Sequence, residues 1–157
     1  MYMRNWIKLV ISIAVPQVVA LSGAYFTITG IDSWYQNIAK PSWNPPNWVF
    51  GPVWTILYIL MGIALFIIWK SENRDRRTAI IFWVIQLVLN FLWTILFFNQ
   101  RQILGAFIEM ILLWIMILMT IIYFARISKL AAWLMVPYIA WVSFAALLNY
   151  AIWQLNQ

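Results

Sequence analysis

Five long apolar runs, separated by short polar breaks, constrain this chain more than any other feature. They are Trp6 to Ile28, Trp48 to Trp69, Thr78 to Phe98, Ile103 to Ala125 and Leu130 to Trp153. The hydrocarbon core of a bilayer is about 30 Å thick and takes about 20 helical residues to cross. Each run has that length. None alternates apolar with polar residues, so barrel strands are a poor reading. The expectation is an all-α bundle of five transmembrane helices with a long ordered loop between helices 1 and 2, forming a single integral membrane domain over residues 1–157. A soluble domain carries about a quarter charged residues. Here the share is 9% and the mean hydropathy is +0.86. The first run has no small-x-small site leading into a polar mature chain, so it reads as a retained span, not a signal peptide.

The breaks set the connectivity. Lys70 to Arg77, Asn99 to Gln102 and Arg126 to Lys129 are short, which makes consecutive helices antiparallel neighbours. Only Thr29 to Asn47 is long. Pro41, Pro45 and Pro46 stiffen it, and Trp34, Tyr35 and Trp43 give it apolar area to bury. It is expected to form a cap over one bundle end; an interfacial loop with aromatic anchors is the plainer alternative. Of ten Lys and Arg residues, Lys40 and Arg101 fall at the loop end and the other eight at the opposite end. By the positive-inside rule the amino terminus is cytoplasmic and the carboxyl terminus outside. Cations scattered between apolar runs form no stripe for nucleic acid; topology and contact with anionic lipid are their better use.

Cysteine and histidine are absent. That excludes disulfides, thiol chemistry and every His or Cys metal site, and no metal is expected. Twelve tryptophans are more than interfacial belts require.

The polar residues inside the spans are patterned. Gln86, Asn90, Trp93 and Phe97 share one helical face, as do Tyr138, Trp141, Ala145 and Asn149. Trp54 and Tyr58 lie one turn apart. Unpaired amides in hydrocarbon are costly, so these stripes should face inward. Glu109 is the only acid inside a predicted span. It reads either as a ligand or proton contact, or as a helix-to-helix hydrogen bond near enough to the surface to reach water. Together the stripes outline a flat, mostly apolar site with a few polar fixing points, toward the loop end. Broad rings favour a planar ligand. The plainer reading is a tryptophan-filled core. In the first span, Ser12, Pro16, Ala20 and Ala24 recur every four residues beside Gly23, a small face for an internal contact or a dimer seam. Pro16 and Pro137 should kink their helices or leave carbonyls free.

The run WYQNIAKPSWNPPNWVFGPVWTILYILMG, from Trp34 to Gly62, closely resembles the tryptophan-rich sensory protein or translocator protein family, also called peripheral benzodiazepine receptors. Gln86, Leu87, Asn90, Trp93, Phe97, Phe98, Ala106 and Glu109 extend the match. So do Pro137, Tyr138, Trp141, Phe144, Ala145, Leu148 and Asn149. The resemblance covers nearly the whole chain and looks like a bacterial member, which implies the bacterial cell membrane. It implies five transmembrane helices, a homodimer, and binding of protoporphyrin IX or drug-like hydrophobic ligands. No cofactor is required. Porphyrin sensing, light- and oxygen-dependent porphyrin degradation, and transport of porphyrins or other hydrophobic ligands are the implied functions. Matched ligand-binding positions are Trp54, Tyr58, Asn90, Trp93, Glu109 and Ala145, with Tyr138 and Asn149 on the same faces. Trp34 and Trp141 match the tryptophans proposed to act in porphyrin breakdown. The animal sterol pattern ends in a basic residue; here Leu148 and Tyr150 have none after them, which makes sterol a poor ligand.

Overall fold

The computed structural model describes residues 4–30 and 34–157. Five helices account for most of them: α1 Asn5–Gly30, α2 Asn47–Lys70, α3 Arg76–Thr94, α4 Ile103–Ile127 and α5 Lys129–Leu155. A wide π-turn, Ile95–Asn99, extends α3. All five segments are long and apolar enough to cross a bilayer, and no strand occurs among the described residues. The chain is a multi-pass helical membrane protein.

The helices pack in a ring, α1 on α2, α2 on α5, α5 on α4, α4 on α3, and α3 back on α1. The short turns allow only antiparallel neighbours at α2–α3, α3–α4 and α4–α5. The α4–α5 turn is a single residue, Ser128, whose hydroxyl accepts from the Ala131 amide and caps α5. The α3–α4 turn is closed by Arg101 in the left-handed region, at φ 57°. The predicted Thr29 to Asn47 connection begins later than expected, because α1 continues to Gly30, and residues 31–33 lie outside the described residues.

The small face of α1 turns inward. Ser12, Pro16 and Gly23 are buried, whereas Ala24 is exposed. A Cβ placed on Gly62 of α2 would come within 2.8 Å of both the Ser12 carbonyl oxygen and the Ile13 Cα. The approach has a cause in sequence. Pro16 has no amide hydrogen to bond the carbonyl four residues earlier, which is that of Ser12. A glycine α-hydrogen faces this free oxygen at close range, a weak contact that recurs at helix crossings. Both α1 and α5 run unbroken through their prolines, Pro16 and Pro137.

Residues 34–46 lie against the bundle end formed by the π-turn, the start of α4 and the end of α5. Tyr35 is buried there with Phe97, Ala106, Leu148 and Ile152. Its hydroxyl donates to Asn44 Oδ1 at 3.2 Å. Asn156 pins the segment to the end of α5: its amide nitrogen donates to the Ala39 carbonyl at 2.9 Å, and its oxygen accepts from the Ala39 amide at 3.0 Å.

Candidate functional site

The polar stripes face one another inside the ring. Tyr58 of α2, Asn90 of α3 and Tyr138 of α5 form a chain of hydrogen bonds across the bundle. The Tyr58 hydroxyl donates to Asn90 Oδ1, and Asn90 Nδ2 donates to the Tyr138 hydroxyl at 3.0 Å. Three helices are thereby joined at one level, and all three residues are buried. Trp54 stacks on Tyr58 at 5.5 Å between ring centroids and meets Tyr138 edge-on at 6.1 Å.

A second crosspiece lies nearer the loop end. Trp93 Nε1 donates to Asn149 Oδ1 at 3.0 Å, and Asn149 Nδ2 donates to the Ile103 carbonyl at 2.9 Å. Trp93 also stacks on Phe97 at 5.1 Å. The π-turn sets this arrangement. It widens the backbone after Thr94, so that Phe97 and Phe98 both reach Tyr35. Spacing alone puts Phe97 on the inner face and says nothing of a π-turn.

Asn90 and Asn149 therefore already hold protein partners through both ends of their amides. They brace the bundle in this conformation, and their groups are not free. The unmet hydrogen-bonding capacity lies elsewhere. Glu109 is 6% exposed, and neither carboxyl oxygen has a partner. The buried Trp141 Nε1 also has none. Ala145 is half-buried against the same core. Trp141 meets Phe50 at 5.9 Å and Phe144 at 5.5 Å. Trp34 sits apart from Trp141, edge-on to Phe97 at 5.6 Å. Rings link the two indirectly: Phe50, which touches Trp141, also packs on the cluster that includes Trp34.

Phe50 is a member of this aromatic set that stripe reasoning missed. The signal was available, because Phe50, Trp54 and Tyr58 follow one another at intervals of one turn. Trp114 is another omission: its Nε1 donates to Ser143 Oγ at 2.8 Å and ties α4 to α5.

Grooves open on the bundle's flanks. One, of about 320 Å³, lies between α1, α2 and α3, with Ile11, Leu65 and Trp83 among its walls. Another, of about 240 Å³, runs between α4 and α5 toward the basic end. Among the described residues, no cluster of three His, Cys, Asp or Glu side chains is placed to hold a metal.

Fold and core together define a class: a five-helix membrane protein whose interior is built from tryptophan, tyrosine, asparagine and one buried acid. The sequence matches the TspO/MBR family over residues 12–154, and the chain belongs to that family. It is 43% identical to the tryptophan-rich protein TspO of Archaeoglobus fulgidus, over 97% of this chain and 99% of that one. It is 42% identical to the protein of the same name from Chlorobaculum tepidum, over 98% of each. The human translocator protein is 38% identical over 78% of this chain and 75% of its own.

Proposed function

We propose that this protein binds a tetrapyrrole, protoporphyrin IX, within the membrane, between the loop-end halves of α2 to α5. The observation that carries the reading is Glu109, a buried carboxyl group with no hydrogen-bond partner, set in a core whose interior asparagines are paired. An unsatisfied buried polar group is costly, and more so in a membrane interior. A ligand that brings donors to this carboxyl offsets that cost. A free-base porphyrin has pyrrole N–H groups and a flat apolar body suited to stacking on Trp54, Tyr58 and Trp141. The unpartnered Trp141 indole N–H provides one donor for an acceptor on the ligand. The rings now contact one another, so binding requires Trp54 and its neighbours to move apart.

Family membership supports the same ligand class. A homodimer belongs to this reading on the family resemblance, and a cytoplasmic basic end on the eight-to-two distribution of Lys and Arg. A reporter fused after Gln157 should be active only outside the cytoplasm.

The test is titration of the purified protein with protoporphyrin IX, followed by quenching of tryptophan fluorescence. Glu109→Leu is expected to weaken binding at least tenfold, and a joint Trp54→Leu and Trp141→Leu variant to abolish saturable quenching. Melting temperatures confirm that the variants remain folded. Wild-type affinity in both variants would remove this site from the account.

A further inference from the structure

We propose that the groove between the end of α4 and the start of α5 is a seat for one acyl chain of an anionic phospholipid, whose headgroup is held by Lys129. The groove has a volume of about 240 Å³. Ile121 and Ala125 of α4 wall it, with Ala132, Trp133 and Val136 of α5, and Lys129 stands among its lining residues. The furrow has a simple origin. The single-residue turn at Ser128 brings the two helices together, and the small side chains Ala125 and Ala132 leave space between bulkier neighbours.

Its surroundings select the occupant. Sideways, the groove opens onto apolar surface, with Leu130 63% and Trp133 69% exposed, so the occupant comes from the hydrocarbon phase. At its end stands an exposed cation, Lys129, whose side chain has no hydrogen bond or ion pair within the protein. Arg126 stands apart from the furrow, over the Tyr123 ring, which stacks on Phe82 of α3. The acids of this bundle end, Glu72 and Asp75, belong to the α2–α3 turn and do not pair with Lys129. An apolar furrow ending at a free cation is complementary to an acyl chain that ends in a phosphate. This seat is separate from Glu109 and does not rest on the porphyrin reading.

The experiment is native mass spectrometry of the full chain in neutral detergent, with equal amounts of dioleoylphosphatidylglycerol or dioleoylphosphatidylcholine added. Phosphatidylglycerol should be retained in preference to phosphatidylcholine. Lys129→Gln should lower its retention roughly fivefold, the effect of one cation near a membrane surface. Ala125→Phe fills the furrow from an exposed position and leaves every charge in place, and it should lower retention at least as much. Arg74→Gln removes a cation of the same bundle end away from the furrow and should change nothing. Equal retention of the two lipids, or equal loss in the Lys129 and Arg74 variants, would overturn the proposal in favour of diffuse attraction. Undiminished retention in a folded Ala125→Phe protein would overturn it as well.

Discussion

The Trp93 indole donates to the Asn149 amide oxygen at 3.0 Å, and this bond ties α3 to α5. Because Asn149 also donates to the Ile103 carbonyl, one side chain holds three helices together at the loop end. Asn149→Leu strands the indole N–H and the carbonyl at once. Interhelical hydrogen bonds in membranes contribute about 0.6 to 2 kcal/mol each, and an orphaned buried group adds to the loss. The variant should be destabilised by about 2 kcal/mol, read as a lower midpoint of unfolding in mixed micelles. Porphyrin affinity, which the reading above rests on Glu109 and the rings, should change less than stability does.

Gly62 and Gly51 occupy the same helix with opposite prospects. A Cβ on Gly62 meets backbone atoms of Ser12 and Ile13 at 2.8 Å, whereas one on Gly51 meets nothing within 4 Å. Backbone cannot give way as a flexible side chain can. Gly62→Ala should force α1 from α2 and lower stability by about 1 to 3 kcal/mol. Gly51→Ala should leave stability unchanged or raise it by up to about 1 kcal/mol through helix propensity. Thermal melts of the two variants side by side decide the matter; equal effects would refute the close α1–α2 contact.

Arg101 holds a left-handed backbone conformation, φ 57°, in the tight α3–α4 turn. Side chains other than glycine carry a cost of about 1 kcal/mol there. Arg101→Gly should therefore stabilise the protein, offset in part by a more flexible unfolded chain. A higher melting midpoint for Arg101→Gly than for Arg101→Ala checks the expectation.

Tyr35 couples the loop-end segment to pH. Burial pushes its phenol above the ordinary value of 10. A raised folded value means that the folded state holds the proton more tightly. The stabilisation is complete below pH 10 and is lost as the pH rises through the folded value. Alkaline solution should loosen the segment from Phe97 and Phe98. Protease sensitivity within residues 36–46 should rise above pH 10 in the wild type and stay flat in a Tyr35→Phe variant.

Much of this architecture is legible in the one-dimensional pattern. Span-length apolar runs require helices because lipid leaves backbone groups no other partner. Amides and hydroxyls set in helical stripes had to face inward for the same reason, and Gln86, Asn90, Tyr138 and Asn149 do. The stripe could not say whether those amides would be free. Free and paired amides have the same spacing, and only the meeting of α2, α3 and α5 turns Tyr58, Asn90 and Tyr138 into a closed chain. The small face of α1 was likewise compatible with two partners. It was the position of Gly62 that assigned Ser12 and Pro16 to an internal contact.

Hydropathy and periodicity are local properties, so the sequence by itself determined the number of helices, their membrane setting and which faces turn inward. Partnership is a property of distance between segments far apart in the chain. The tertiary structure alone decided that Asn149 is satisfied while Glu109 is left without a donor, because only assembled helices determine which polar atoms come within hydrogen-bonding reach.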